Sequence, residues 1–244
     1  MKLYLIRHGV SCTNLLRIVQ GSDSLDANRY IDPELTEEGR QTAKRLRPFL
    51  LKRLKGKYVV GASKLMRAQQ TAYLLLKPSK LLIVPHISEL MRESLECTPL
   101  PPDLQARTLI ERTGDRGLPA IRDYTYFEDD TEEPEKDQPS VFLKWLALNG
   151  PLLTRGSKGL ILVSHSLFIA EFIKVMTGQD PGNIMNYGLI EFDIEIKNKV
   201  ATVLSHRFIH YVPKKKLKWS TKKHLFHNRC RIPVRRHKTY KNGT

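Results

Sequence analysis

An arginine and a histidine stand side by side at the end of a short apolar run, Leu3-Tyr-Leu-Ile6-Arg7-His8-Gly9. A guanidinium offers a planar fork of donors that matches the oxygens of a tetrahedral oxyanion, and a neutral imidazole nitrogen can attack phosphorus. Gly9 permits a tight turn and a close approach of the backbone to a ligand. Ser11 and Asn14 follow and can add neutral hydrogen bonds. A second histidine, His165, closes the run Leu160-Ile-Leu-Val163-Ser164. Arg67 falls in the first turn of an expected helix, where unpaired backbone N–H groups already favour an anion. These residue types suit phosphoryl transfer: side-chain cations for the equatorial oxygens and one imidazole as nucleophile.

Such groups need elements to hold them. Leu3–Ile6, residues 57–61, Leu81–Val84 and Leu160–Val163 read as strands, the last two as continuous apolar runs. Between them the spacing predicts helices. Thr36 is a good N-cap, with Glu37 and Glu38 complementing the positive helix end and a stripe of Ala43, Leu46, Leu50 and Leu54 ending before Gly56. Ser63 can cap a helix over 64–76, a third helix covers about 139–149, and a fourth runs from Leu167 to Met176 and stops at Gly178. Residues 15–33 read as a loop, and 187–196 and 200–208 as a hairpin turning about Asn198. Alternating strands and helices with apolar strands imply a three-layer α/β/α fold around a mainly parallel sheet. In such a sheet ligands bind beyond the carboxyl ends of the strands, which is where Arg7-His8, Ser63 to Arg67 and His165 fall.

Residues 86–138 break the pattern. Prolines 99, 101 and 102 interrupt it, a helix over roughly 103–113 is expected, and residues 128–137 hold seven Asp/Glu against one Lys. This stretch reads as an insertion over one face of a catalytic domain spanning 1–210. The net charge of +16 is concentrated at the other end. Twelve of the 41 Lys/Arg lie from Tyr211 onward, where there is no Asp or Glu, leaving 29 basic and 25 acidic residues, about +4, in the first 210. Residues 211–244 therefore read as a basic, flexible tail able to contact a polyanion, either nucleic acid or an anionic membrane, with Trp219, Phe226 and Tyr240 interleaved for stacking. The tail's His224, His227, Cys230 and His237 match no common zinc spacing, and no cofactor is implied. No apolar run is long enough for a signal peptide or a membrane span. Three widely spaced cysteines argue against a disulfide framework and for an intracellular, cytoplasmic chain, with the tail making a nuclear location compatible.

The motifs together resemble the histidine phosphatase superfamily, the phosphoglycerate-mutase-like group. Arg7-His8-Gly9-x-Ser11-x-x-Asn14 is similar to that family's opening motif. Leu35-Thr36-x-x-Gly39-x-Gln41-x-Ala43, Ser63-x-Leu65-x-Arg67-Ala68-x-Gln70-Thr71-Ala72 and Val163-Ser164-His165 resemble its next three blocks, in order. The resemblance implies a metal-independent reaction through a phosphohistidine on His8. Arg7, Arg67 and His165 would hold the phosphoryl oxygens, assisted by Asn14 and Ser11. It also implies an acid after the third strand; Ile87-Ser88-Glu89 offers Glu89, with Glu93 and Glu96 as competitors. The stretches after the first histidine and around the acid depart from mutase patterns, which favours a phosphatase acting on a small phosphorylated metabolite or a phosphoprotein. A mutase-type phosphotransferase is one alternative, and a non-catalytic anion- or nucleic-acid-binding protein using its tail is another.

Overall fold

The computed structural model describes residues 1–20, 32–88, 122–123 and 138–210. Five parallel strands form its centre: β1 (Lys2–Arg7), β2 (Val59–Ala62), β3 (Leu81–Ile83), β4 (Arg122–Asp123) and β5 (Gly159–Ser164). An antiparallel hairpin, β6 (Leu189–Lys197) and β7 (Val200–Ile209), extends the sheet, giving the order β4-β3-β2-β5-β1-β6-β7. The hairpin turns at Asn198 and Lys199, both with positive φ (49° and 60°), as a tight two-residue turn demands. β1 lies beside β5 in parallel register, Ile6 opposite Val163 and Arg7 opposite Ser164, so the two histidine-bearing strand ends emerge together.

The strands are continuously apolar because each is buried on both faces. In β1, Tyr4 and Ile6 face the core beneath α2 (Glu37–Arg53) and α3 (Met66–Leu76), with Leu46, Leu50, Ala68 and Ala72. Leu3 and Leu5 face the opposite core, beneath α4 (Gln138–Leu153) and α5 (Ser166–Thr177). That second core centres on Phe142, Phe168, Phe172 and Phe192, with ring centroids 5.2–6.0 Å apart in stacked and edge-to-face pairs. Full burial of each such ring contributes roughly 1.5–3 kcal/mol. The three-layer arrangement is as expected.

Two local expectations need correction. Residues 15–20, expected as the start of a loop, belong instead to a helix, α1 (Cys12–Gln20). Ser11 starts it: its hydroxyl accepts the Asn14 N–H while Asn14 Oδ1 accepts the Ser11 N–H, a reciprocal cap. Ser63 does not cap α3. The first N–H of that helix is instead taken by the buried Asp32, whose Oδ1 accepts from Met66 N at 2.6 Å. Residues 122–123, within the stretch read as an insertion, add a strand to the sheet edge beside β3. The expected helix over 103–113 and the acidic run 128–137 lie outside the described residues, as does the basic tail.

Other signals hold. Thr36 caps α2, its hydroxyl accepting the Gly39 N–H at 2.9 Å, and the stripe Ala43, Leu46, Leu50 and Leu54 is buried. Gly178 closes α5 in the left-handed conformation. No described helix is long and apolar enough to cross a membrane.

Candidate active site

Arg7 and His8 end β1, and the backbone there is tied down on two sides. His8 N donates to Ser164 O, Arg7 N donates to Gly188 O, and Tyr187 N donates to Arg7 O. Gly9 then bonds across to α3, its N–H donating to Thr71 Oγ1, which in turn donates to Arg67 O. The glycine is required here for a reason the sequence does not show. A Cβ on Gly9 would lie 2.2 Å from the Tyr187 hydroxyl, so the space is filled by a buried side chain of the chain itself.

The hydrogen bonds of His8 settle its tautomer. Gly9 O can only accept, so the 2.6 Å contact puts a proton on Nδ1. Arg67 can only donate, so its Nε–H, 3.3 Å away, points at a lone pair on Nε2. His8 is therefore neutral, with its unprotonated Nε2 facing a guanidinium. Both residues are almost fully buried. Arg67 is delivered by the first turn of α3, as its place in the sequence suggests.

His165 precedes α5 and packs its ring 5.0 Å from that of His8. The other phosphate-binding candidates converge from neighbouring segments. Arg7 Nη1 donates to Ile184 O and to Asn183 Oδ1. Asn186 Nδ2 donates to His8 O at 2.8 Å and lies 3.4 Å from Asn14 Oδ1. Asn14 therefore uses its carbonyl oxygen on Ser11 and Asn186, which leaves its Nδ2 group to donate to an anion. The Ser11 hydroxyl is engaged with Thr13 Oγ1 and, in the α1 cap, with Asn14 N. Glu89, and its competitors Glu93 and Glu96, lie outside the described residues.

Three residues were missed by sequence reasoning: Asn183, Asn186 and Tyr187. They sit between α5 and β6, where no periodic pattern marks them. A polar Asn pair beside a Tyr-Gly turn was the only available signal. Tyr187 adopts φ 63°, and its hydroxyl donates to Gly39 O, tying this loop to α2.

The electrostatics favour an anion. Burial, and then the charges of Arg67 and Arg7, hold His165 well below the ordinary histidine value of 6.5. It is thus neutral in the folded protein at physiological pH. Its sign in stability follows from linkage. Above pH 6.5 both folded and unfolded forms are neutral at this residue, and no penalty arises. Below it the unfolded chain takes up a proton that the folded one refuses, so stability falls toward the depressed folded pKa by at most about 1.4 kcal/mol per pH unit. We expect the urea midpoint to fall between pH 6.5 and 5, and His165→Gln to flatten that fall; equal slopes in both proteins would refute it.

Among the described residues, no group of three His, Cys, Asp or Glu side chains is placed to hold a metal ion. Two arginines and two neutral histidines thus gather beyond the carboxyl ends of adjacent parallel strands, a set of groups chemically suited to an oxyanion. Residues 3–96 match the model of the histidine phosphatase superfamily (branch 1). The match covers the blocks holding Arg7, His8 and Arg67; His165 lies beyond it and joins them through the fold.

The solved structures it resembles include the alpha-ribazole phosphatase of Shigella flexneri, at 22% identity over 83% of this chain and 94% of that one, with a TM-score of 0.50. Mycobacterial hydrolase 1 is similar at 18% identity over 86% and 97%, also at 0.50. A mutant phosphoserine phosphatase of Entamoeba histolytica, in complex with phosphoserine, shares 22% identity over 84% and 95%, with a TM-score of 0.48. No curated protein sequence matches the chain significantly.

Proposed function

We propose that the protein is a phosphomonoester hydrolase that works through a phosphohistidine on His8. The observation that carries this reading is the pair of opposed contacts on one buried ring: Nδ1–H on Gly9 O, and Arg67 Nε–H aimed at Nε2. A histidine so held has a lone pair at the nucleophilic nitrogen and a cation beside it to receive the phosphoryl oxygens.

In the first step Nε2 attacks phosphorus in line, an N–P bond forms and the ester P–O bond breaks. Arg67 exchanges its resting contact with His8 for a phosphoryl oxygen, and Arg7, His165 and Asn14 Nδ2 take up the others. The departing oxygen needs a proton, which we assign to Glu89. Support for that assignment is positional. Ser164 Oγ donates to Ile87 O at 2.6 Å, which ties the segment ending at Ser88 to the residue before His165. In the second step water attacks phosphorus, loses its proton to the same carboxylate, and releases inorganic phosphate with His8 restored. The cationic charge on the equatorial oxygens is supplied by side chains, so no metal is required in this scheme. The phosphatases of similar fold make a small phosphorylated metabolite the first substrate class to screen.

The test is hydrolysis of an aryl phosphate in EDTA, with acid-labile, alkali-stable phosphate on the protein captured during turnover. Steady release with transient labelling is expected. Labelling that persists for the duration of many turnovers, with release only in the presence of a bisphosphate, would replace the phosphatase by a mutase. Hydrolysis that never labels the protein would sink the phosphohistidine.

A further inference from the structure

We propose that Ser63 is a positioning residue whose hydroxyl sets the tautomer of His165, keeping the ring proton on Nδ1. Ser63 directly follows β2, and Ala62 lies opposite Val163 in the parallel pairing of β2 with β5. Ser63 N donates to Val163 O at 2.9 Å, so its backbone is fixed to the strand two residues before His165. Its Oγ is 2.6 Å from His165 Nε2, and both residues are fully buried.

The direction of that bond follows from the hydroxyl's partners. Among the described residues Ser63 Oγ has one other, the N–H of Leu65 at 3.3 Å, which can only donate. A buried hydroxyl proton without an acceptor costs about 1–3 kcal/mol, and of these two partners only His165 Nε2 is able to accept it. Ser63 therefore donates to Nε2, and the proton of the neutral ring resides on Nδ1. The result is an uncharged N–H donor beside His8, suited to an anionic phosphoryl oxygen. With the proton on Nε2 instead, Nδ1 would present a lone pair to that oxygen and repel it. This also explains why the α3 cap falls to Asp32: the serine that local sequence nominates for it is committed to the histidine.

The effect on turnover rests on the phosphohistidine reading above; the tautomer itself does not. The experiment uses the full chain, labelled with nitrogen-15 at histidine. Long-range proton–nitrogen spectra are recorded without substrate, and His165 among the eight histidines is identified by comparison with His165→Gln. Wild type is expected to show a protonated Nδ1 and an unprotonated, far-downfield Nε2. In Ser63→Ala the proton should move wholly or partly to Nε2, and kcat on an aryl phosphate should fall about tenfold, the size of one neutral hydrogen bond. Ser63→Thr keeps the hydroxyl and should restore both readouts. A protonated Nε2 in wild type would overturn the proposal, as would an unchanged tautomer in a folded Ser63→Ala. If Ser63→Ala does not fold, the wild-type and Ser63→Thr spectra decide alone. A correct tautomer in a protein without phosphatase activity would refute the proposed function and leave Ser63's role standing.

Discussion

His8→Ala is expected to remove the reaction while leaving the pocket able to bind phosphate. In the proposed mechanism the substitution deletes the atom that bonds to phosphorus, and loss of a covalent nucleophile costs on the order of 10⁴-fold or more in kcat. Inhibition by inorganic phosphate should change little by comparison, because a neutral His8 contributes no charge. The cations are on Arg7 and Arg67, and both remain. Arg67 does lose the acceptor of its Nε–H at 3.3 Å, but in the bound state that donor is given to the anion. Some loss of stability accompanies the change, since His8 is buried and its Nδ1–H bond to Gly9 O disappears. Circular dichroism and a denaturant midpoint will separate that loss from the chemical one. The decisive measurement is kcat for an aryl phosphate beside the inhibition constant for phosphate. Turnover above about one hundredth of wild type would be too much for a protein without its nucleophile.

The frame of the candidate site is legible in the sequence because its parts obey local rules. β1 and β5 are buried on both faces, so their apolar runs are unbroken, and the polar residues that end them mark the strand termini. Helix α2 carries its own cap in Thr36 and its own stripe. The failures occur where one side chain satisfies two rules. Ser11 and Asn14 were assigned to a phosphate from their place in a motif; in the fold they also bond to each other and start α1, turning an expected loop into a helix. Ser63 has the chemistry of a helix cap, yet the cap comes from Asp32, which only the folded chain brings near. Gly9 looks like a place where a ligand approaches, whereas Tyr187 already occupies that space. Tyr187 is 178 positions further along the chain, and no window of sequence links the two. The same distance hides Asn183 and Asn186, which reach back to Arg7 and His8.

Arg67 is where these links meet, which makes its replacement the second large effect. It is fully buried in the first turn of α3, its Nε–H meets His8 Nε2, and its carbonyl is held by Thr71, the residue that also holds Gly9. Removing a preorganised donor from a developing oxyanion costs roughly 10²–10³-fold, and a buried guanidinium supplies charge as well as hydrogen bonds, so Arg67→Ala should lower kcat/KM on the order of 10³-fold. Arg67→Lys is the informative variant. An ammonium keeps the charge but is a point donor on a flexible stem and cannot reproduce the planar fork. If geometry dominates, Arg67→Lys will recover less than a tenth of the activity lost in Arg67→Ala; if charge alone matters, it will recover most of it. Arg67→Ala also removes a positive neighbour of His165, and the depression of that histidine's pKa should lessen, since the Arg67 charge ranks next after burial among its causes. Titration of the His165 ring by NMR in wild type and Arg67→Ala reads this directly. A rise in the alanine variant, together with the loss of kcat/KM, would show one guanidinium acting on both histidines; an unmoved His165 would confine Arg67 to the nucleophile.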